Sequence, residues 1–512
     1  MKWALYNLLF ALVYPFLLPG FLVRMLRRGG YAARMGDRFA LYPEGAFGTD
    51  RPLYDSHGTS TADSRRMTDG FVWIHAVSVG EVQVAGQLMR EWRAIEPDVR
   101  FCFSTTSSTG WKIAETELST LNAQRSASSD VLIYNPLDFP NFVKSALRTV
   151  RPRAIVLTES EIWPNFIRTA KKMGIPLFLI NARVSDRSAP RYKAAKWFFG
   201  DVLSAFTRIF AQSDLDKARL VAAGAPDGKV EVTGSFKFDV AHRNEAKEVE
   251  LREWILGPDR AEVASDRVEV GAGKVEVGSD RVEVATWAES DAKDANKTLM
   301  DPKILLGGST WPGEDEVLLR IYRRLWAAEG KRKPILVIAP RHFEKADAIE
   351  ANIRRAGFDC VRRSRGESRS KVETEGRDTP PVFLADTTGE LMGLYGVADV
   401  VFVGKSLCAH GSQNMIEPCL CGKPTFVGPY TENFRPVMSD LLASRAIVQV
   451  QDAAELEEKI VEAFRSLECG KGSAVPSGRA GDVMGLGERA RAAVANRLGV
   501  VAKCVREIRE AL

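Results

Sequence analysis

Histidine and cysteine are both scarce in this chain, and charge of neither sign dominates. Five histidines occur in 512 residues and none belongs to an H-E-x-x-H pair, so the sequence designates no metal site and no metal cofactor. Seven cysteines in so long a chain form no disulfide scaffold. No C-x-x-C occurs, and Cys419-x-Cys421 is too closely spaced for the usual zinc knuckle. Reduced thiols follow. Lys plus Arg number 71 against 66 Asp plus Glu, a net charge of +5, which is too balanced for a dedicated nucleic-acid binder. A Walker loop, a G-x-G-x-x-G turn and a G-x-S-x-G elbow are all missing. What is present is a chain 45% hydrophobic and 27% charged, able to bury large cores in two or three domains.

One stretch departs from this even texture. Trp3 to Val23 carries no charge over 21 positions, and about 20 helical residues cross a hydrocarbon core of roughly 30 Å. Arg24, Arg27, Arg28, Arg34 and Arg38 follow, against Lys2 alone before it, which by the positive-inside bias keeps the body of the protein cytoplasmic. A cleaved signal peptide fits poorly, because the run is long, the basic cluster follows it and no small-x-small site appears. Pro15, Pro19 and Gly20 interrupt the run, so a transmembrane span and an interfacial anchor both stay open. The arginines are expected to face anionic phosphate headgroups.

From Gly70 the chain alternates apolar runs with amphipathic stretches. The segments 71–77, 99–105, 154–160, 176–182 and 208–213 read as strands buried on both faces, with helical patterns between them, such as 81–96 and 163–173. A second series occupies 303–309, 334–340, 360–364, 382–386, 399–404 and 424–428. Strand and helix in alternation mean a parallel sheet covered by helices, so the fold class is α/β with two doubly wound, Rossmann-like domains. The expected division is 1–28 membrane anchor and basic flank, 29–240 first domain, 241–302 linker, and 303–512 second domain with terminal helices. Within the linker, D-R-V-E-V (266–270), K-V-E-V (274–277) and D-R-V-E-V (280–284) read as a low-complexity insertion, at most a weak hairpin. The polar stretch 362–380 reads as a solvated loop.

Ligands in such folds sit beyond the carboxyl ends of strands, so the loops after strands carry the chemistry. In H-A-V-S-V-G-E (75–81), Glu81 opens a helix near its positive end, either stabilising the dipole or acting as a general base. T-E-S-E-I-W-P-N (158–165) sets Glu159 and Glu161 two apart, as caps or as groups that position a hydroxyl or balance a transition-state charge. N-A-R-V-S-D-R-S (181–188) adds Arg183, Asp186 and Arg187. V-T-G-S-F-K-F-D (232–239) places Lys237 after a glycine turn, as an anion binder or a surface lysine. In the second half, the glycine-rich turn 307–315 offers backbone N–H groups to a phosphate, with Ser309 and Thr310 as caps and candidate nucleotide contacts. Pro340 and Arg341 follow a buried strand, where a guanidinium suits a phosphate. Thr388, Gly389 and Glu390 form another glycine turn. Asn414, Met415, Ile416 and Glu417 follow the strand at 399–404; Glu417 either accepts from ribose hydroxyls or belongs to a capping box.

In their order these segments carry more than any one alone. H-A-V-S-V-G-E, T-E-S-E-I-W-P-N, N-A-R-V-S-D-R-S, V-T-G-S-F-K-F-D, P-R-H, the run 387–407 and Q-N-M-I-E-P together resemble the 3-deoxy-D-manno-octulosonic acid (Kdo) transferases of Gram-negative lipopolysaccharide assembly. The resemblance covers nearly the whole chain outside its insertions. It implies a GT-B glycosyltransferase, with two Rossmann-like domains facing a cleft and an N-terminal membrane-anchor helix at the cytoplasmic face of the cell inner membrane. The implied reaction is inverting, metal-independent transfer of Kdo from CMP-Kdo to a lipid A precursor, lipid IVA. The implied catalytic groups are Glu81 as base, with Glu159 and Lys237 stabilising the transition state. The implied CMP contacts are Pro340, Arg341, Thr388, Gly389, Glu390, Asn414, Met415, Ile416 and Glu417. A related transferase using a UDP-sugar and a catalytically inactive membrane-anchored binding protein are the competing readings. Three positions depart from the family pattern: Lys405 stands where glycine is usual, Gln413 where histidine is common and Met415 where proline is.

Overall fold

The computed structural model describes residues 2–28, 32–47, 70–123, 130–239, 245–257, 271–277, 280–286, 302–328, 333–369, 381–469 and 483–512. The chain divides into two compact units, one of residues 1–240 and 497–512, the other of 241–496. Expectations for the glycine-rich tail at 470–481, for 370–380 and for most of the insertion lie outside the described residues.

In the first unit β1 (Phe71–His75), β2 (Arg100–Thr105), β3 (Val131–Tyr134), β4 (Pro152–Thr158), β5 (Leu177–Ala182), β6 (Arg208–Ala211) and β7 (Val230–Val232) build one parallel sheet. Its order is β3-β2-β1-β4-β5-β6-β7, wound both ways from β1. All five residues of β1 are buried, as a central strand with helices on both faces requires. The helices are α1 (Lys2–Arg28), α2 (Val79–Ile95), α3 (Ser108–Asn122), α4 (Pro140–Val150), α5 (Pro164–Lys172), α6 (Ala189–Ala194), α7 (Lys196–Leu203) and α8 (Asp214–Ala222).

The second unit opens with α9 (Glu245–Leu256), which the sequence placed in the linker. Its Trp254 ring meets Phe383 edge-on, and the indole N–H donates to the Glu367 carbonyl at 2.8 Å. Within the insertion, β8 (Gly271–Val277) and β9 (Asp280–Thr286) pair as an antiparallel hairpin. The sheet then takes β10 (Ile304–Thr310), β11 (Ile335–Pro340), β12 (Asp359–Arg362), β13 (Pro381–Leu384), β14 (Val400–Val403), β15 (Thr425–Val427) and β16 (Val448–Gln449), in the order β12-β13-β11-β10-β14-β15-β16 and again all parallel. Its helices are α10 (Glu314–Ala327), α11 (Ala346–Arg355), α12 (Leu391–Val397), α13 (Ile416–Leu420), α14 (Arg435–Ala443), α15 (Ala453–Cys469) and α16 (Val483–Ala495).

The last helix, α17 (Val500–Glu510), belongs to the first unit, not to the second-domain range 303–512. Val500, Val501, Cys504, Val505 and Ile508 enter the core over β1, β2 and β4. The Asp239 carboxylate accepts from the Gly499 and Val501 N–H groups, both at 2.7 Å, and so caps this helix while closing the G-S-F-K-F-D loop.

Among the described residues no helix is long and apolar enough to cross a membrane. Instead α1 docks along one face. Trp3 and Tyr6 pack on Phe198, Phe10 and Tyr14 on Phe139, and the Arg168 guanidinium lies over the Trp3 ring. The Tyr6 hydroxyl donates to Asp138 at 2.9 Å, and the Asn165 amide to Asn7 at 2.8 Å. Leu5, Leu8, Leu9, Leu12, Val13 and Phe16 lie exposed, Phe16 to 85%. Arg34 and Arg38 do not form a free basic flank: Arg34 bonds Asp37, while Arg38, 4% exposed, donates to the Thr106 carbonyl and covers the Tyr134 ring.

Asp138 links α1 to the N-terminus of α5, and its titration is measurable. Burial raises its carboxyl to about 6, against the lowering effect of the Asn165 and Phe166 N–H groups and the Tyr6 hydroxyl. Between about pH 4 and 6 the folded chain therefore holds a proton that the unfolded chain has released. The stabilisation is full below about pH 4 and is lost as pH rises through 6. In urea titrations, the wild-type minus Asp138→Asn difference in unfolding free energy should fall by up to about 3 kcal/mol across that window. A difference independent of pH would show that the group titrates normally.

Candidate active site

Three adjacent strands of the first unit, β1, β4 and β5, end in the segments that carry its acids. Ser78 caps α2: its hydroxyl accepts from the Glu81 N–H at 3.3 Å and donates to Glu81 Oε1 at 2.8 Å, a reciprocal capping arrangement. Glu81 is nevertheless more than a cap. It is 8% exposed, and its Oε2 takes the Val77 N–H and lies within hydrogen-bond distance of the Thr158 hydroxyl, both at 3.0 Å. Val77 and Ser78 occupy two of the roughly four acceptor positions of the carboxylate and fix its orientation, while the one Thr158 hydroxyl hydrogen serves either Glu81 or the His75 carbonyl, also at 3.0 Å.

Glu159, just past β4, holds a left-handed backbone at φ 50°, and Asn181, at the end of β5, does the same at φ 52°. Left-handed geometry costs a non-glycine residue about 1 kcal/mol or more and collects at functional sites. The Glu159 carboxylate pairs with Arg183 Nε at 2.8 Å and receives the Asn181 amide at 3.4 Å. The Asn181 oxygen in turn accepts from the Phe236 N–H at 3.1 Å, which ties Glu159 to the loop bearing Lys237. Burial raises the Glu159 carboxyl; Arg183 and Lys237 pull it down, and Glu81 adds to the rise. Burial lowers the Lys237 ammonium, Glu159 opposes this and Arg183 reinforces it. The structure thus brings Glu81, Glu159 and Lys237 into one electrostatic cluster. Thr158 and Asn181, which open two of the segments quoted above but are not singled out there, orient it; for Asn181 the available clue was asparagine's tolerance of left-handed geometry.

The second unit distributes its expected contacts less evenly. Glu314, fully buried, takes the N–H groups of Trp311 and Lys405 on one oxygen (2.7 and 2.9 Å). Its other oxygen takes those of Ser406, Leu407 and Cys408 (3.2, 3.1 and 3.4 Å). Of these five donors only Trp311 belongs to the turn 307–315; the other four come from the loop after β14, which the chain's own carboxylate thereby fastens to that turn. Burial raises that carboxyl, and the backbone donors hold it down. Ser309 and Thr310 are buried, Ser309 at φ 52°.

Pro340 ends β11, and Arg341 follows it exposed, its N–H donating to the Thr310 carbonyl at 3.0 Å. Thr388 and Gly389 are exposed, Gly389 at φ 83°. Glu390 is enclosed by its own chain: Thr387, Arg363 and Lys247 bind its carboxylate, and their hydrogen bonds outweigh burial to bring it to about 2. Asn414 donates to Glu417 at 2.9 Å and accepts the Ile416 N–H at 3.1 Å. Burial raises the Glu417 carboxyl, with Asn414 opposing. Met415 and Ile416 are buried completely, backbone included.

The model of a family described as 3-deoxy-D-manno-octulosonic-acid transferase (kdotransferase) matches residues 33–240. The protein is a glycosyltransferase. A curated 3-deoxy-D-manno-octulosonic acid transferase from Bordetella pertussis is 31% identical over 386 residues, which is 75% of this chain and 76% of that protein. The chain belongs to the Kdo transferase family. The Haemophilus influenzae relative of the same description is 29% identical over 395 residues, 77% of this chain and 78% of that one. A bifunctional glycosyltransferase/methyltransferase from Fusobacterium nucleatum is 28% identical over 405 residues, and the chain spans about half of its length, 53%. Among solved structures, the C-terminal CMP-Kdo binding domain of WaaA from Acinetobacter baumannii is similar at 25% identity, over 38% of this chain and 91% of that one, with a TM-score of 0.32.

Proposed function

We propose that the protein transfers Kdo from CMP-Kdo to a lipid A precursor, lipid IVA, as an inverting GT-B enzyme that needs no metal. The observation that carries this reading is the cluster of Glu81, Glu159 and Lys237, with Glu81 held by Val77, Ser78 and Thr158. Glu81 takes the proton of the attacking acceptor hydroxyl, whose oxygen bonds to the anomeric carbon as the bond to the CMP phosphate breaks. A single displacement of this kind inverts the anomeric centre. Lys237 and Arg183, balanced by Glu159, supply fixed positive charge to a reaction whose sugar and leaving group are both anionic.

The second unit binds the nucleotide, with Arg341 on the phosphate and the turns at 388–390 and 414–417 around the cytidine. The exposed leucine face of α1 rests in the interface of the inner membrane on the cytoplasmic side, while its other face holds the first unit there. This placement suits an acceptor that does not leave the bilayer.

The test is incubation of purified protein with CMP-Kdo and lipid IVA vesicles in the presence of EDTA, reading product mass and anomeric configuration. An acceptor heavier by whole Kdo units, with inverted linkage, is expected. Transfer only from a UDP-sugar, or loss of transfer with EDTA, would overturn the donor or the metal-free part respectively.

A further inference from the structure

Lys405 adopts φ 56°, a left-handed backbone that a long side chain occupies at a cost and a glycine occupies freely. The surrounding chain enforces it. The Lys405 N–H donates to Glu314, its carbonyl accepts from the Ser412 N–H at 2.8 Å, and Gly404 lies so close to Ser309 that a Cβ there would come within 2.3 Å of its carbonyl oxygen. With the backbone fixed in this way, the half-buried side chain lays its ammonium over the Trp311 indole, 5.0 Å from the ring centroid. The ring of His342 meets the same indole edge-on at 4.8 Å, and Arg341 precedes His342.

The position in the sheet gives this arrangement its meaning. β10 lies between β11 and β14, and chain order reverses there, from β11 on one side to β14 on the other. Trp311, Arg341 and Lys405 follow the carboxyl ends of these three neighbouring strands. A doubly wound sheet opens its ligand crevice at that reversal. An aromatic face holds a lysine ammonium without neutralising it, so the charge stays available to an incoming anion.

We infer that Lys405 is a donor-binding residue, its ammonium contacting an anionic oxygen group of the nucleotide-activated acidic sugar from a station on Trp311. The identity of that donor rests on the proposed Kdo transfer; the presence of an anion subsite does not. Two groups share the required chemistry, the nucleotide phosphate and the sugar carboxylate.

Calorimetric titration of cytidine, CMP, UMP and CMP-Kdo into the full-length wild type and into Lys405→Gln, Lys405→Gly and Lys405→Arg tests the assignment. Loss of one charge-assisted contact should weaken anion binding about tenfold in the Gln and Gly variants, with Arg restoring it to within about threefold. Cytidine affinity should stay unchanged, which a collapsed pocket would not allow. The Gly variant, relieved of the left-handed lysine, should be at least as heat-stable as the wild type. Weakened CMP assigns the phosphate; weakened CMP-Kdo with unchanged CMP assigns the carboxylate. Equal affinities of Gln, Gly and wild type for every anion would overturn the inference. Lys405-dependent binding of UMP with no binding of CMP would keep Lys405 as an anion ligand and sink the CMP-Kdo reading.

Discussion

Glu81→Gln is expected to lower kcat for Kdo transfer about a hundred- to ten-thousandfold, the usual span for loss of a general base, while CMP-Kdo still binds. The amide retains the shape of the carboxylate. With its oxygen in the Oε2 position it continues to accept from Val77, and its NH2 in the Oε1 position can donate to the Ser78 hydroxyl, so the start of α2 should persist. In the proposed mechanism, what is lost is uptake of a proton from the acceptor hydroxyl. A kcat within threefold of wild type, with the melting temperature unchanged, would remove Glu81 from the base role and leave it as the capping residue of α2. A variant that loses CMP-Kdo binding as well would show that the substitution damages more than the proton transfer.

Glu314 predicts the largest change in stability. Five backbone N–H groups converge on one buried carboxylate and join the turn after β10 to the loop after β14. Glu314→Ala leaves those donors buried without a partner. Loss of one member of a buried charged network costs on the order of 3–5 kcal/mol. Glu314→Gln should be little better, because its NH2 must face N–H groups whichever way the amide turns. Urea unfolding followed by tryptophan fluorescence should show both midpoints well below wild type, and CMP affinity should fall as the loop that bears Lys405 relaxes. Two variants within about 0.5 kcal/mol of wild type would mean that the donors find water instead, and that the carboxylate is no keystone of the loop.

The contrast between these two acids shows what sequence can and cannot convey. Glu81 was legible because its signal is local: a strand, a serine, a glycine and an acid at fixed spacing in a turn that opens a helix. Most strands were legible for a similar reason, since a parallel strand buried on both faces is a short unbroken apolar run. The edge strands β7 and β16 lack such a run, being short, only partly buried and interrupted by Glu231 and Gln449, whereas β3 carries one, V-L-I-Y, that the strand series above leaves out.

Glu314 stands one residue past a glycine turn that reads as a phosphate cradle. Only the fold reveals that four of the five partners of its carboxylate lie about ninety residues away, in the loop after β14. For Glu390 too, only the fold reveals the side chains that hold its carboxylate, Arg363 and Lys247. The docking of α1 was hidden by composition: the same uncharged run supplies both the aromatic residues that grip Phe198 and Phe139 and the leucines that face outward.

The return of α17 to the first unit has a consequence for how this enzyme can be divided or rebuilt. In connectivity the second unit, 241–496, is an insert within the first, entered after Val240 and left before Arg497. A gene cut once, at the apparent midpoint, gives a front fragment missing the helix that covers its sheet, and Asp239 with no helix to cap beside the loop of Lys237. Exchange of the second unit between relatives therefore calls for two crossovers, not one. The last sixteen residues travel with the first unit even though they are translated after the second.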